Sequence, residues 1–240
     1  MNFEDLTGKI TCADCMDILK QLPDKCVDLV CTDCPYKVVS GGCSGKSLFS
    51  ASKYLNNAKE VSQGKMFKEN SIKFDDWLPE VYRVLKPDCH CYIMINGRNL
   101  AELQKQAEKA GFVFQQLLVW EKGNSMPNNW YLQSVEFILM LRKGKAKKIN
   151  NRATKNILKV KNIIGNKIHP TEKPVPLMEI LIANSTKENE IVLDPFAGSS
   201  PVAQACINLK RRFICIEKDP EYYRASCERL EQAQRQQTLF

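Results

Sequence analysis

The sequence predicts an α/β fold, in which a doubly wound, mostly parallel sheet carries an antiparallel hairpin at one edge. Three observations support this prediction. Short apolar segments recur along the chain without polar alternation, as in strands that are buried on both faces of a sheet. Segments with helical spacing of apolar residues separate most of these strands, which is typical of parallel βα units. Segments 112–120 and 135–141 have no helix between them, so they predict an antiparallel hairpin.

The predicted strands and helices alternate through the 240 residues. Helix 74–85 stops before Pro87, and helix 100–110 ends at Gly111, both of which are common signals at a helix C-terminus. The predicted strands are 9–13, 27–32, 89–95, 112–120, 135–141, 190–193 and 212–216. The predicted helices are 14–21, 74–85, 100–110, 175–183, 201–209 and 221–234.

Residues 1–240 are interpreted as a single domain with two insertions, 37–70 and 142–167. Hydrophobic residues make up 44% of the chain, which is sufficient for one sizeable core. No apolar run is long enough for a membrane span, and the N-terminus lacks the pattern of a secretory signal. Eleven cysteines without such a signal indicate reduced thiols, so we expect a cytoplasmic protein.

The net charge of +8 is concentrated in segment 142–167, which contains ten Lys or Arg and no acidic residue. Without these ten charges the rest of the chain would carry −2. A basic surface of this kind favours contact with DNA phosphates, although a solvated loop that only aids solubility has the same composition. The predicted DNA-binding residues are Lys143, Lys145, Lys147, Lys148, Arg152 and Lys155.

A turn rich in small residues, DPFAGSS at 194–200, follows a predicted strand and precedes a predicted helix. Such a turn lets a ligand approach the backbone and the helix N-terminus. Glu217 ends the next strand, 23 residues after Asp194, where an acid usually binds ribose hydroxyls. The turn lacks the GxGxxG spacing of dinucleotide sites, so it favours a nucleoside-bearing ligand without a pyrophosphate. A plain strand-to-helix connection is the alternative.

The tetrapeptide Asp33-Cys34-Pro35-Tyr36 also lies at a predicted strand tip. An exocyclic amine on a base is a poor nucleophile because its lone pair is delocalised into the ring. The Asp33 carboxylate and the Cys34 backbone carbonyl can accept both N–H protons and make the amine more reactive. Pro35 stiffens the turn, and Tyr36 offers a ring for stacking on an extruded base. The tetrapeptide therefore predicts a catalytic site for transfer to a base amine.

These motifs and their order resemble the beta, circularly permuted, group of amino-group DNA methyltransferases, which use S-adenosylmethionine to modify adenine N6 or cytosine N4. Segments 10–36 and 169–182 are also similar to that family, so the resemblance covers nearly the whole chain outside the two insertions. It implies double-stranded DNA as substrate and S-adenosylmethionine as cofactor. Family members often pair, so a homodimer is expected, and DNA binding implies association with the nucleoid.

The resemblance also implies roles for matching residues at the cofactor site. Glu217 would take the ribose hydroxyls, and Asp14 would lie near the cofactor adenine. Residues expected to line the methionine and nucleoside pocket are Asp194, Phe196, Gly198 and Ser199. Those expected to close over the methionine end are Thr171, Lys173 and Pro174.

The chain departs from the family pattern at Cys34, where Pro is usual, and at Ser200, where a second Gly is more usual. A backbone carbonyl does not depend on its side chain, so the acceptor at Cys34 remains. The family's adenine enzymes usually begin the tetrapeptide with Asp or Asn, whereas cytosine N4 enzymes more often begin it with Ser. Asp33 therefore favours adenine N6.

Other interpretations remain at this stage. Cytosine N4 is the nearest alternative, followed by methylation of RNA or of protein glutamine and by a non-catalytic DNA- or clamp-binding module.

Cys12-x-x-Cys15 and Cys31-x-x-Cys34 have a zinc-ribbon spacing, but a closed zinc site there would block Tyr36, so no metal is expected. The C-terminal QQTLF resembles the peptide that docks on bacterial sliding clamps. Its predicted anchors are Gln236, Leu239 and Phe240.

Overall fold

A computed structural model describes residues 3–35, 72–126, 130–163, 165 and 172–238, and the elements below are those within these ranges. The strands are β1 (Lys9–Cys12), β2 (Val27–Asp33), β3 (Leu85–Ile95), β4 (Val113–Met126), β5 (Gln133–Arg142), β6 (Ile157–Lys159), β7 (Ile191–Asp194) and β8 (Arg212–Glu217). The helices are α1 (Phe3–Leu6), α2 (Cys15–Leu19), α3 (Phe74–Val84), α4 (Leu100–Lys109), α5 (Val175–Ser185), α6 (Pro201–Asn208) and α7 (Pro220–Thr238).

The described strands form one sheet in the order β1-β8-β7-β2-β3-β5-β4-β6. The first five are parallel, β5 is antiparallel to both of its neighbours, and β6 is parallel to β4. This confirms the predicted doubly wound, mostly parallel sheet with an antiparallel hairpin. The parallel strands end together at what we term the carboxyl edge, and they begin at the opposite amino edge. Because β5 is reversed, it starts at the carboxyl edge and finishes at the amino edge.

Two apolar cores cover the two faces of the sheet and make a three-layer structure. One core packs α2, α3 and α4 against the sheet, with Trp77 fully buried in it. The other packs α5, α6 and α7 against the opposite face. Every residue of β2 before Asp33 is buried, including the polar Asp28 and Thr32, as in a central parallel strand. The sheet is therefore a rigid platform for the turns at its edges.

Two short elements were not predicted from the sequence, α1 and β6. Strand β6 lies inside the basic segment and pairs with β4, so β6 rather than the hairpin forms the outer edge of the sheet. Its three residues contribute one buried side chain, Leu158, to the second core. Three residues are too few for hydrophobic periodicity to reveal a strand, because that signal requires several alternations.

The ten cysteines in the described ranges carry free thiols. No helix within those ranges combines the length and the apolar character needed to cross a bilayer.

Candidate active site at the carboxyl edge

Three acidic residues end three neighbouring parallel strands at the carboxyl edge. Asp33 ends β2, Asp194 ends β7 and Glu217 ends β8, and these strands are adjacent in the order β8-β7-β2. In an open α/β sheet, ligands bind in the crevice outside the carboxyl ends of the strands. The residues predicted from two distant motifs are therefore brought together at one edge.

Asp194 connects the turn at 194–200 to the tetrapeptide strand. Its Oδ1 accepts hydrogen bonds from the Thr32 hydroxyl at 2.6 Å and from the Phe196 backbone N–H at 3.1 Å. Burial raises the pKa of Asp194 to about 7, although these two hydrogen bonds oppose the rise. Thr32 directly precedes Asp33, so the two sites share a buried link.

Glu217 holds the other side of the same turn. Its Oε2 accepts from the Gly198 N–H at 2.7 Å, and its Oε1 accepts from the Asp219 N–H at 2.8 Å. Burial raises the pKa of Glu217, and the backbone hydrogen bonds counteract that rise. Each carboxylate oxygen has a second lone pair for a ligand hydroxyl. Asp14 lies nearby, because the N–H of Ala13 donates to the carbonyl of Glu217 at 3.1 Å.

Ser200, the second departure from the family pattern, adopts a left-handed backbone conformation with φ 55° and ψ 47°. Glycine occupies this conformation without steric cost, whereas other L-residues are strained by about 1–2 kcal/mol. The usual preference for glycine here is thus explained by backbone geometry. Gly198 also has a positive φ, of 53°, so the turn is tightly folded at two positions.

Helix α7 stabilises the turn at 194–200 through hydrogen bonds. The Ser226 hydroxyl donates to the carbonyl of Gly198 at 2.7 Å, and the Arg229 guanidinium donates to the carbonyl of Ser199 at 3.2 Å. Arg229 also pairs with Glu172 at 2.6 Å, which ties the segment before α5 to the same helix. Phe196 packs edge to face on Trp77, with ring centroids 5.1 Å apart. These supports come from sequence regions that no motif marks.

The tetrapeptide begins at Asp33, whose Oδ2 lies 2.8 Å from the Lys173 ammonium. Burial raises the pKa of Asp33, and the charge of Lys173 opposes this rise. The Cys34 thiol points into the core, where it contacts the carbonyl of Met94 at 3.6 Å. Its side chain is therefore directed away from the solvent, and the cysteine can contribute to the site through its backbone. Tyr36 lies outside the described residues.

The zinc interpretation fails on the placement of its cysteines. Cys31 lies in the core beside α5, 3.9 Å from the sulfur of Met178, whereas Cys34 lies in the core on the other face of the sheet. Thiols on opposite faces of one sheet cannot bind the same tetrahedral ion. In the described ranges, no group of three potential metal ligands is present.

The basic segment runs along the amino edge of the sheet. Arg142, at the end of β5, pairs with His90 of β3, and the chain then crosses the amino edge. The Lys147 carbonyl contacts the His90 ring at 3.1 Å, and the Asn150 N–H donates to the carbonyl of Asn184 at 2.8 Å. The exposed residues on this path are Lys145, Lys147, Lys148 and Arg152. They lie at the edge opposite Asp33, away from the proposed amine site.

Lys143 is not part of this exposed path, which argues against its predicted contact with DNA. Its ammonium is buried and donates to the carbonyls of Tyr82 at 2.6 Å, Arg83 at 3.3 Å and Leu85 at 2.7 Å. These carbonyls belong to the end of α3, where a cation also meets the negative end of the helix dipole. Lys143 is thus a helix cap. Lys155 is exposed and leads into β6, which returns toward the carboxyl edge.

Some predicted residues cannot be placed. Thr171, loop 37–70, Leu239 and Phe240 lie outside the described residues. The backbone of Gln236 belongs to α7. Lys173 and Pro174 are described, and Pro174 caps the N-terminus of α5. The sequence analysis did not identify Glu136 and Lys122 as site residues. The Glu136 carboxylate lies 3.2 Å from the ammonium of Lys173 and 3.2 Å from that of Lys122.

A Rossmann-like sheet with acids at these three strand tips defines the class of S-adenosylmethionine-dependent methyltransferases. A profile of the DNA methylase family that modifies N6 and N4 amino groups matches residues 27–228, and the chain belongs to that family. S-adenosylmethionine is its cofactor. The turn at 194–200 and Glu217 fit a nucleoside-bearing ligand. Two backbone N–H groups hold the Glu217 oxygens in place. The half-buried Phe196 ring belongs to the same turn.

The chain is similar to proteins from several bacteria. It is 28% identical over 239 residues to Type II methyltransferase M2.DpnII of Streptococcus pneumoniae, covering 91% of this chain and 88% of that protein. The crystal structure of an M1.HpyAVI–SAM complex is 30% identical, with a TM-score of 0.68 over 92% of this chain and 98% of the other. The cytosine-N4-specific PvuII DNA methyltransferase shares the fold, with a TM-score of 0.70 at 20% identity, over 92% and 85% of the two chains.

Proposed function

We propose that this DNA methyltransferase modifies adenine N6 in double-stranded DNA, with the target base flipped out of the helix. The observation that carries the proposal is the Asp33 carboxylate, which ends β2 beside the turn that begins at Asp194. Lys173 pairs with this carboxylate and favours its ionised form. An ionised carboxylate is an acceptor, as the amine site requires.

The proposed chemistry depends on two acceptors. Asp33 and the carbonyl of Cys34 each accept one N–H of the amine, which localises the nitrogen lone pair. S-adenosylmethionine supplies an electrophilic methyl group on a sulfonium. As the nitrogen–carbon bond forms, the carbon–sulfur bond breaks and its electron pair stays on sulfur. The amine then loses one proton, which Asp33 passes to solvent. Catalysis is thus mainly positioning and charge stabilisation.

The cofactor residues are proposed from the family's motifs, together with the contacts of the turn at 194–200. Glu217 would bind the ribose hydroxyls and Asp14 would lie near the adenine ring. The remaining pocket residues proposed for the cofactor are Asp194, Phe196, Gly198, Ser199, Thr171 and Pro174. Pro35 would hold the tetrapeptide turn, and Tyr36 would stack on the flipped base.

The carboxyl edge is the surface on which DNA would lie. The hairpin between β4 and β5 reaches this edge, where Trp130 and Tyr131 are 87% and 94% exposed. Large exposed aromatic side chains are uncommon on a protein surface and often mark a binding site. Lys161, which follows β6 toward the same edge, is exposed and can meet phosphates. The exposed residues of the basic segment, Lys145, Lys147, Lys148, Arg152 and Lys155, are proposed as further DNA contacts away from the target base.

Mapping modified bases tests the assignment. The protein is expressed in cells that lack DNA methylation, and their genome is read by single-molecule sequencing. We expect N6-methyladenine at one short recognition sequence, and no such mark with an Asp33→Ala variant. N4-methylcytosine instead would overturn the base assignment, whereas an unmodified genome would overturn methylation of DNA in this host.

The C-terminal tail is proposed to dock on a bacterial sliding clamp through Gln236, Leu239 and Phe240. Helix α7 leads into this tail, and its exposed side chains between Glu221 and Arg235 are polar. Deleting Leu239 and Phe240 is expected to reduce clamp affinity at least about tenfold, because apolar anchors supply much of such binding. Surface plasmon resonance on immobilised clamp measures the effect, and unchanged affinity rejects the idea.

A homodimer is a further proposal, for which sedimentation equilibrium is the measurement.

A further inference from the structure

Four charged side chains alternate in sign at the carboxyl edge. The Lys122 ammonium lies 3.2 Å from Oε1 of Glu136, and the Lys173 ammonium lies 3.2 Å from Oε2 of the same glutamate. Lys173 is also 2.8 Å from Oδ2 of Asp33. Each oxygen of Glu136 thus faces a different ammonium, and Lys173 bridges two carboxylates. We name this arrangement the Lys122–Glu136–Lys173–Asp33 chain.

The charged chain is shielded from solvent, unlike an ordinary surface ion pair. The Lys173 side chain is only 6% exposed, and those of Lys122, Asp33 and Glu136 are at most about a quarter exposed. Exposed pairs are weakened by water and salt, whereas shielded ones retain much more of their interaction. A buried ammonium without carboxylates would be strongly unfavourable, so Lys173 is fixed in place by its partners.

The four residues come from separate parts of the sequence. Lys122 is on β4, Glu136 on β5, Asp33 on β2, and Lys173 directly precedes the residue that caps α5. The reversed direction of β5 brings its early residue Glu136 to the edge where the parallel strands end. A reversed strand is therefore required for a glutamate at this sequence position to reach the site.

We propose that Lys173 and Glu136 are positioning residues for Asp33. Glu136, held by Lys122, fixes the Lys173 ammonium against Oδ2 of Asp33, and the other oxygen, Oδ1, accepts the N–H of the target amine. The proposal rests on the proposed function, in which Asp33 is the acceptor. It gives Lys173 a role at the amine site in place of the cofactor contact that the family resemblance implied.

The electrostatics of Asp33 agree with this geometry. Burial raises the pKa of Asp33, Lys173 lowers it, and Glu136 raises it. Burial also favours a higher pKa for Glu136, but Lys173 and Lys122 outweigh it and hold that pKa below its usual range. Among the described residues, Asp194 and the Cys34 thiol are further titratable groups that interact with Asp33. The two substitutions tested below alter neither of them.

The test exploits the opposite effects of the two neighbours on Asp33. Lys173→Met removes the charge that favours the carboxylate, so the pKa of Asp33 should rise. Glu136→Gln removes a charge that disfavours the carboxylate, so the pKa should fall. General damage to the site would not shift the two variants in opposite directions. Because only the ionised form accepts the amine proton, the acidic limb of the pH–rate profile should follow each shift.

Two measurements separate this inference from the proposed function. The first is an NMR titration of 13C-labelled aspartate carboxyls without DNA, with the Asp33 signal assigned by its loss in Asp33→Asn. The second is the single-turnover methylation rate against pH. Lys173→Met should lose on the order of tenfold in rate near pH 6 and recover as pH rises. Glu136→Gln should move the acidic limb to lower pH and reduce the plateau rate several-fold, because Lys173 loses one anchor.

Matched variants control for unrelated effects. Glu121→Gln makes the same change in an exposed pair, with Lys159 at 3.4 Å, and should leave the titration and the rate profile unchanged. Lys173→Arg keeps the positive charge and should show the wild-type acidic limb. This variant also tests the role of the charge if Lys173→Met does not fold. Shifts in the same direction, or no shift in the NMR titration, would overturn the inference whichever base is methylated. An NMR shift without a change in the rate profile would also overturn it.

Discussion

Replacing Asp33 with alanine is expected to lower the methylation rate by about 10³-fold while S-adenosylmethionine binding is retained. The carboxylate is the acceptor proposed for the amine, and its partner Lys173 cannot replace it, because an ammonium is a donor. The fold should survive the change, since Lys173 keeps the Glu136 carboxylate at 3.2 Å. Single-turnover assays with excess enzyme measure the rate, and isothermal titration calorimetry measures cofactor affinity.

Asp75→Ala is a suitable control, because Asp75 is an exposed aspartate in the first turn of α3. It should keep the wild-type rate. Activity of Asp33→Ala within a few-fold of wild type would contradict the proposed mechanism. Loss of cofactor binding in this variant would show that Asp33 supports the cofactor turn, through the adjoining Thr32 and Asp194, rather than the amine.

Replacing Glu217 with alanine is expected to weaken S-adenosylmethionine binding on the order of 100-fold, because hydrogen bonds to charged groups contribute about 1.5–3 kcal/mol each. The variant loses the acceptors proposed for the ribose and also releases the N–H groups of Gly198 and Asp219. Affinity for unmodified DNA should be unchanged. Calorimetry gives the cofactor affinity, and fluorescence anisotropy of labelled duplex gives the DNA affinity.

Glu217→Gln retains one acceptor oxygen and should give an intermediate loss of cofactor affinity. Glu221→Ala changes an exposed glutamate of α7 and should leave the affinity at the wild-type value. Equal affinities in Glu217→Ala and wild type would remove Glu217 from the cofactor site. The two alanine variants at 33 and 217 thus separate the chemical step from cofactor binding.

The strand tips were predictable because parallel strands place their last residues at one edge, so motifs far apart in sequence meet there. Asp33, Asp194 and Glu217 could be grouped on that ground alone. The position of the basic segment could not be predicted, because charge composition carries no information about which edge a chain occupies. That position depends on the direction of β5, which delivers Arg142 to the amino edge.

Glu136 was missed for a related reason. It is a single acid within an apolar strand pattern, and only its partners Lys122 and Lys173 distinguish it from an ordinary polar residue on a sheet. Lys143 was misassigned because a buried lysine that caps a helix looks the same in sequence as an exposed one. In both cases the deciding fact is a contact between residues that are distant in sequence.

The hydrogen bond between Thr32 and Asp194 has a consequence for how the two reactants could meet. It joins adjacent strands β2 and β7, and neighbouring strands in a sheet lie about 4.8 Å apart. Under the proposed function, the distance between strands of the sheet fixes the spacing between the turn for the methyl donor and the turn for the acceptor. DNA-recognition segments attached to this sheet could then differ between relatives without altering the alignment of the reacting atoms.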